Sequence, residues 1–299
     1  MPPRILVGIC VTVMVAACGG GELGGAPSPP GSSMGEDETS SVEMVDSGSW
    51  YIHEQWPHDG RPVESESFVV YSDAASPEAR REMADAAERL WSELLDELGV
   101  TPEMLRFPSS QDKIDIYAYH DHYPQDWSGR AYYGGLLIWS PDHALRRLDR
   151  IGYEPTLKHE LVHVAQWMLT GGEGSIDTWF IEGLPLALAS DLSDQPIRAL
   201  EELANLTAEY GRINPISIKR YSQITDPGAG EHFYYPMFQL AFEYLLDDDG
   251  LGRSPADARD VMIDMAEGAS FGVAFEDHTG LRLEDFEREF FDLMSEYLP

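Results

Sequence analysis

The pentapeptide HELVH at residues 159–163 has residue types and a spacing that could bind a metal ion. Two histidines four residues apart lie on one face of a helix, about one turn from each other, so both imidazoles can reach one ion. Glu160 projects beside His159 and His163, where a carboxylate can accept a proton from a water on the metal. These residues point to metal-assisted hydrolysis. The alternative is a helix that carries two hydrogen-bonded histidines.

The flanking residues predict that the pentapeptide lies in a helix. Pro155 suits a first turn, because its missing N–H is not needed there, and Gly171-Gly172 supplies a stop. Both histidines and Glu160 lie on or beside the apolar face and therefore point inward. Burying such groups without partners costs roughly 1–3 kcal/mol each, and a metal would supply the partner. The apolar residues recur at helical spacing: Leu157, Leu161, Val162, Ala165 and Met168 or Leu169.

A second segment, WFIEGL at residues 179–184, follows at a spacing that is typical of one class of zinc enzymes. Eighteen residues separate His163 from Glu182. HExxH, eighteen residues and then Glu inside W-x-x-E-G resembles the gluzincin metallopeptidases, the thermolysin-like enzymes whose aminopeptidase branch has this spacing. The resemblance implies that His159, His163 and Glu182 are zinc ligands and that Glu160 is the general base. A catalytic zinc site of this kind keeps its fourth position for water.

Leu169 excludes the metzincin alternative, because a metzincin would have a third histidine six residues after the second, where Leu169 stands. Two departures limit how far the gluzincin resemblance extends. Pro185 follows Glu182 by three residues where the family continues a helix, so the helix either starts late or bends just past the ligand. The Gly-x-Met-Glu-Asn segment with which aminopeptidases grip the substrate amine is missing. Endopeptidase and exopeptidase action therefore both stay open.

The aromatic run at residues 232–238 is the candidate source of an oxyanion donor. In the aminopeptidase branch, a tyrosine just before a helix hydrogen-bonds the oxyanion, and Tyr235 matches that place best, with Tyr234 second. The family's Lys-Gly after the tyrosine is absent. His232 is a further candidate electrophile. The alternative is an aromatic cluster that packs the start of a helix.

The rest of the chain predicts an α+β fold: a small N-terminal mixed sheet with helices, followed by a mostly helical lobe, with the zinc helix at the junction. Residues 76–98 read as a helix capped by Ser76 and ended by Gly99. Predicted strands span residues 67–72, 113–120 and 132–140, and further helices span residues 195–210, 235–246, 254–267 and 283–298.

Two further features of the sheet carry functional hypotheses. Residues 132–139 could form a sheet edge that pairs with the substrate backbone, since Gly134 and Gly135 would let another chain approach. A core strand with a bulge is the alternative. His120 and His122 share a strand face and could bind a second metal, although the end of a solvated strand is the preferred interpretation.

The N-terminus predicts the compartment. A short basic stretch precedes an apolar run of 13 residues, 5–17, which suits a signal peptide better than a membrane span. Val15-Ala16-Ala17-Cys18 resembles the bacterial lipoprotein cleavage box, which implies removal of residues 1–17 and lipidation of Cys18. Residues 18–47 form a flexible Gly/Pro/Ser-rich acidic linker, and residues 48–299 form the metallopeptidase domain. We expect a lipid-anchored protein of the bacterial cell envelope, facing the periplasm or the cell exterior.

The strong excess of acidic residues limits the classes of binding partner. The chain has 20 basic and 53 acidic residues, a net charge of −33. This excludes nucleic acid as a partner and leaves the lipid on Cys18 as the one membrane attachment. We expect a monomer that binds one Zn²⁺ and hydrolyses a peptide or protein substrate. The alternative function is a non-catalytic surface lipoprotein with a metal-stabilised peptide-binding cleft. The intact Glu160 favours the enzyme, because a structural zinc site does not need this non-ligand carboxylate.

Overall fold

A computed structural model describes residues 61–108, 111–119, 129–141, 153–172, 176–189, 230–247 and 250–295, with residues 153 and 230–236 described by their backbone only. The predicted signal peptide, the linker with Cys18, the 195–210 helix and both His120 and His122 lie outside these residues. Among the described residues, no helix combines the length and the apolarity needed to cross a membrane.

A mixed five-stranded sheet forms the N-terminal part. Its strands are β1 (Val63–Glu64), β2 (Phe68–Ser72), β3 (Ile114–Tyr119), β4 (Gly129–Tyr132) and β5 (Gly135–Trp139). Their order is β1-β2-β3-β5-β4. The pairs β2–β3 and β3–β5 are parallel, and the outer pairs β1–β2 and β4–β5 are antiparallel. Every residue of β3 and β5 is buried, as expected for central strands covered on both faces.

Helices make up most of the remaining described residues. They are α1 (Pro77–Leu98), α2 (Tyr153–Thr170), α3 (Thr178–Ala189), α4 (Gly230–Leu246), α5 (Pro255–Ala266), α6 (Phe271–Thr279) and α7 (Leu283–Ser295), with a short 3₁₀ helix at Pro102–Met104. In α1 the Ser76 hydroxyl accepts a hydrogen bond from the backbone N–H of Ala79, and Gly99 ends the helix in the left-handed conformation at φ +61°.

The α2 helix joins the two halves of the fold. It packs against α1, β4 and β5 on the sheet side and against α3 and α5 on the helical side. Because it is covered on several sides, its apolar residues are almost fully buried, which is the pattern of a central helix. One face of the sheet packs on α1 and α2 through Phe68, Val70, Ile114, Ile116, Leu136 and Ile138.

An aromatic cluster holds the helical lobe together. Trp179 at the start of α3 is fully buried and stacks on Phe286 of α7 at a centroid distance of 5.1 Å. Further rings surround it: Phe180, Phe242, Phe271 and Phe275. Each such ring buries a large apolar area, so the cluster fixes α3 relative to α4, α6 and α7.

The α+β fold class, with a small mixed sheet ahead of a helical lobe, is confirmed. The boundaries predicted for α1 are also confirmed. The predicted strand at residues 132–140 is instead a hairpin of β4 and β5 that turns at Gly134, whose φ is +83°. The α4 helix starts at Gly230, five residues before the predicted start, and α6 was not predicted.

Candidate metal centre

The α2 helix brings the side chains of His159 and His163 close together. Their Nε2 atoms lie 3.2 Å apart, and the rings meet edge to face with centroids 4.8 Å apart. Both residues are buried, with exposed fractions of 7% and 9%. Two imidazoles that point the same nitrogen at one point in a buried pocket are arranged as a metal site requires.

The α3 helix brings Glu182 to the same point. Its Oε2 lies 3.4 Å from Nε2 of His163 and 3.8 Å from Nε2 of His159. Zinc bonds of about 2.0–2.2 Å at tetrahedral angles separate ligand atoms by roughly 3.3–3.6 Å. The three separations, 3.2, 3.4 and 3.8 Å, lie close to this range, so the three side chains could hold one zinc ion after small shifts. Across the described residues, they are the one group of three or more such side chains close enough to share an ion.

Gly183 lets α3 approach α4 closely at the position next to Glu182. A Cβ on Gly183 would lie 2.7 Å from the backbone oxygen of Phe238 and 2.6 Å from the ring of Phe242. A side chain there would push the two helices apart, because a backbone atom cannot yield as a flexible side chain can. The close contact therefore helps to fix the height of Glu182 over the histidine pair.

Pro185 neither delays nor ends the helix that carries Glu182. The α3 helix runs from Thr178 to Ala189 with the proline inside it. A late start of the helix is therefore wrong, and Glu182 lies in its second turn. Proline has no N–H, so the helix lacks the hydrogen bond from residue 185 to the carbonyl of Ile181. That carbonyl instead accepts a hydrogen bond of 3.1 Å from Nε2 of Gln166.

Glu160 lies beside the cluster and against the sheet. It is 1% exposed, and its carboxyl group rests on Gly129 of β4. A Cβ on Gly129 would come within 2.6 Å of Oε1 and 2.9 Å of Cδ of Glu160. The charge of Glu160 also helps to raise the pKa of His163 and that of Tyr132, which places the carboxylate between the histidine pair and the edge of the sheet.

The structure decides between the two readings of residues 132–139, an edge strand or a core strand. Gly135–Trp139 is a buried strand between β3 and β4, which supports the core strand. In the described sheet the edge is β4, Gly129–Tyr132, which contacts α2. The reason is that sequence pattern identifies a strand but not its neighbours, and the hairpin at Gly134 folds β4 to the outside.

Other predicted site residues lie where the structure gives no side chains. Tyr235, Tyr234 and His232 belong to α4, whose first residues 230–236 are described by backbone only. Tyr235 was expected just before a helix and instead lies inside one. Its role as oxyanion donor stays a prediction.

Sequence reasoning missed Gln166 and Gly129 as parts of the site. Gln166 is 4% exposed, and its Oε1 lies 2.9 Å from Nδ1 of His163. Its position three residues after His163 was a usable signal, because residues i and i+3 share a helix face. Gly129 had no comparable signal, since its contact with Glu160 joins segments far apart in sequence.

The two histidines differ strongly in their affinity for a proton. Burial lowers the pKa of His159 to about 3, helped by the positive charge of the neighbouring ring. Burial also acts against a charge on His163, but the carboxylate of Glu182 outweighs it, with smaller effects of Glu160 and Gln166, and the pKa of His163 rises to about 9. The carboxylate of Glu182 therefore favours a proton on His163 over one on His159.

Comparisons with known proteins give distant similarities. No known protein family and no curated protein matches the sequence. Solved structures with detectable likeness include a variant of a two-domain M1 zinc metallopeptidase bound to L-arginine, at 14% identity, covering 81% of this chain and 52% of that chain with a TM-score of 0.41. Native yeast LTA4 hydrolase matches at 15% identity, covering 80% and 38% with a TM-score of 0.42.

An M1 zinc metallopeptidase from Deinococcus radiodurans matches at 14% identity, covering 81% of this chain and 52% of that chain with a TM-score of 0.37. The chain thus spans about half the length of the two M1 enzymes and less of the yeast hydrolase.

Zinc binding should release a proton from the histidine pair. Zinc needs both Nε2 lone pairs, whereas the metal-free pair holds one proton between its two pKa values. Titration calorimetry in buffers of different ionisation enthalpy should give about one zinc per chain and about one proton released near pH 7. Zinc affinity should rise with pH and level off above about pH 9, where His163 has lost its proton.

His278→Ala is the matched control, because His278 pairs with Asp264 away from the cluster. This variant should bind the same number of zinc ions and release the same number of protons as the wild type. Full zinc occupancy in His163→Ala would mean that the site lies elsewhere.

Proposed function

We propose that this protein is a zinc-dependent peptidase that hydrolyses peptide bonds outside the cytoplasm. His159, His163 and Glu182 hold the zinc, and Glu160 is the general base. The observation that carries the proposal is the joint geometry of the four side chains. Three buried donor atoms stand at the separations of a tetrahedral zinc site, and a fourth, buried carboxylate lies beside them without belonging to the set.

The residues around the cluster suit hydrolysis. Zinc in such a site polarises a carbonyl and lowers the pKa of a water molecule to near 7. Glu160 would accept a proton from the attacking water at its carboxylate and pass it to the leaving nitrogen, the usual division of labour for a general base. Burial against Gly129 restricts where that carboxylate can point, so it is held ready for transfer.

The edge strand supports a peptide as the substrate. β4 pairs with β5 on one side and ends the strand order of the described sheet. An extended peptide could add to this edge through main-chain hydrogen bonds, which bind peptides with little regard to sequence. Because Gly129 of the same strand touches Glu160, a peptide along β4 would pass close to the general base.

A non-catalytic lipoprotein with a metal-stabilised peptide-binding cleft is the second candidate. It accounts for the three ligands, but a structural zinc site does not need the carboxylate of Glu160, because that carboxylate is not a ligand. The two candidates differ in what the loss of this one carboxylate does.

Glu160→Gln should leave zinc binding and folding intact and lower peptide hydrolysis at least ~100-fold, the usual scale of a general base. The measurement is turnover of a fluorogenic peptide library by the zinc-loaded protein, with zinc content determined on the same samples. Glu154→Gln is the control, because Glu154 is an exposed glutamate in the first turn of the same helix. Unchanged turnover in Glu160→Gln would contradict the mechanism. A zinc-loaded wild type without hydrolysis would favour the second candidate.

Gly129→Ala should lower turnover at least ~10-fold while zinc content stays close to that of the wild type. The new Cβ would lie 2.6 Å from Oε1 and 2.7 Å from Cγ of the buried Glu160 side chain, so this side chain must shift, which moves the base and lowers the thermal stability. Gly272→Ala is the control, since a Cβ on Gly272 meets nothing within 4 Å. Equal turnover in the wild type and Gly129→Ala would mean that the position of Glu160 is not critical.

We also propose that Cys18 carries a lipid that anchors the protein in the bacterial cell envelope. The support is the Val15-Ala16-Ala17-Cys18 box after an apolar run of 13 residues, followed by Gly19 rather than aspartate. One acyl chain anchors weakly, so two or three chains are expected. Intact mass and detergent partitioning of the native protein test this. A mature protein that starts at Cys18 without lipid would contradict the anchor and leave the peptidase proposal untouched.

A further inference from the structure

Gln166 connects a metal-binding histidine to the helix that carries the third ligand. Its Oε1 lies 2.9 Å from Nδ1 of His163, and its Nε2 donates to the backbone oxygen of Ile181 over 3.1 Å. Ile181 directly precedes Glu182. The buried side chain of Gln166, which belongs to α2, therefore links His163 of the same helix to the backbone of α3 next to Glu182.

The contact with Ile181 decides which way the amide of Gln166 faces. A backbone carbonyl can only accept a hydrogen bond, so the NH₂ end of the amide must face Ile181. The oxygen end then faces His163, and this oxygen can only accept. Nδ1 of His163 must therefore carry a hydrogen. A neutral imidazole with hydrogen on Nδ1 has its lone pair on Nε2.

Nε2 is the nitrogen that faces the other two donors. It lies 3.2 Å from Nε2 of His159 and 3.4 Å from Oε2 of Glu182. Gln166 therefore selects the tautomer of His163 whose lone pair points at the metal position. Partners of this kind hold ligand rings in place and are worth about 10–100-fold in metal affinity.

Pro185 explains why the Ile181 carbonyl is available. In an α-helix this carbonyl would accept the N–H of residue 185, four positions later. Proline has no N–H, and its ring displaces the carbonyl four residues before it. The proline inside α3 thus frees an acceptor in the turn that carries Glu182, and Gln166 uses it.

We propose that Pro185, the Ile181 carbonyl and Gln166 form a relay that holds His163 in its metal-binding tautomer. Gln166 and Pro185 are positioning residues, since neither is among the proposed ligands. The relay rests on the zinc site of the proposed function but not on peptide hydrolysis. Its test is therefore zinc binding and the state of the His163 ring.

Gln166→Met keeps the length of the side chain and removes both hydrogen bonds. It should lower zinc affinity about 10–100-fold in competition with a chromophoric chelator. Gln166→Glu keeps an acceptor facing Nδ1 but loses the donor to the Ile181 carbonyl, so its zinc affinity should lie between those of Gln166→Met and the wild type. Thr170→Val is the control on the same helix: it removes a buried hydroxyl that bonds only backbone carbonyls, and its zinc affinity should match that of the wild type.

Pro185→Ala separates the relay from a purely structural proline. The restored N–H should compete with Gln166 for the Ile181 carbonyl. The variant should melt at a higher temperature, because the helix regains a hydrogen bond, yet bind zinc several-fold more weakly. A proline without a role in the relay would give the higher Tm with unchanged zinc affinity. In the Gln166→Met background, Pro185→Ala should have no further effect on zinc affinity.

Nitrogen-15 NMR of the zinc-loaded wild type, labelled at histidine, reads the tautomer directly. The relay predicts hydrogen on Nδ1 of His163 and zinc on its Nε2. Zinc on Nδ1, or equal zinc affinity in Gln166→Met, Pro185→Ala and the wild type, would overturn the relay while leaving the zinc site intact. A wild type that binds no zinc would overturn the relay and the proposed function together. If Gln166→Met does not fold, Pro185→Ala and the wild-type spectrum decide the matter.

Discussion

The burial of two imidazoles and a carboxylate at one point is the constraint on which the rest of this structure depends. Nε2 of His159, Nε2 of His163 and Oε2 of Glu182 lie within 3.8 Å of one another inside the protein. Polar groups taken out of water need partners there, and charged ones need them most. The carboxylate of Glu182 raises the pKa of His163, and a zinc ion bound at Nε2 would replace a proton there.

The surrounding helices and sheet hold these three donor atoms in place. A central helix supplies both histidines, and its burial on several sides limits its movement. The aromatic cluster around Trp179 fixes the helix that supplies Glu182, and Gly183 lets that helix lie close to α4. The sheet contributes its edge, where Gly129 leaves room for Glu160. Preorganised sites of this kind need little rearrangement when the ligand or the substrate arrives.

The sequence predicted well what local pattern and spacing determine. The α1 helix has strong boundary signals in Ser76 and Gly99, and both are used as expected. The α2 helix and the inward direction of its histidines follow from apolar spacing. Glu182 was predicted as the third ligand from a resemblance in motif spacing, and the fold brings its carboxylate close to both histidines.

Tertiary structure decided what the sequence could not predict. Strand order depends on pairing between distant segments, so the sequence left open whether residues 132–139 form an edge or a core strand. Pro185 was expected to disturb the helix around Glu182, because a proline inside a helix leaves one backbone carbonyl without its helical hydrogen bond. Gln166 donates to that carbonyl instead, and only the packing of α2 on α3 reveals it.

The central claim is that one zinc ion binds to these three side chains, the one group of this kind among the described residues. A crystal structure of the zinc-loaded protein, with anomalous data collected on both sides of the zinc absorption edge, tests this most directly. The account predicts one strong peak about 2.0–2.2 Å from Nε2 of His159, Nε2 of His163 and Oε2 of Glu182. A peak elsewhere in a fully loaded crystal, or a peak coordinated by Glu160, would contradict it.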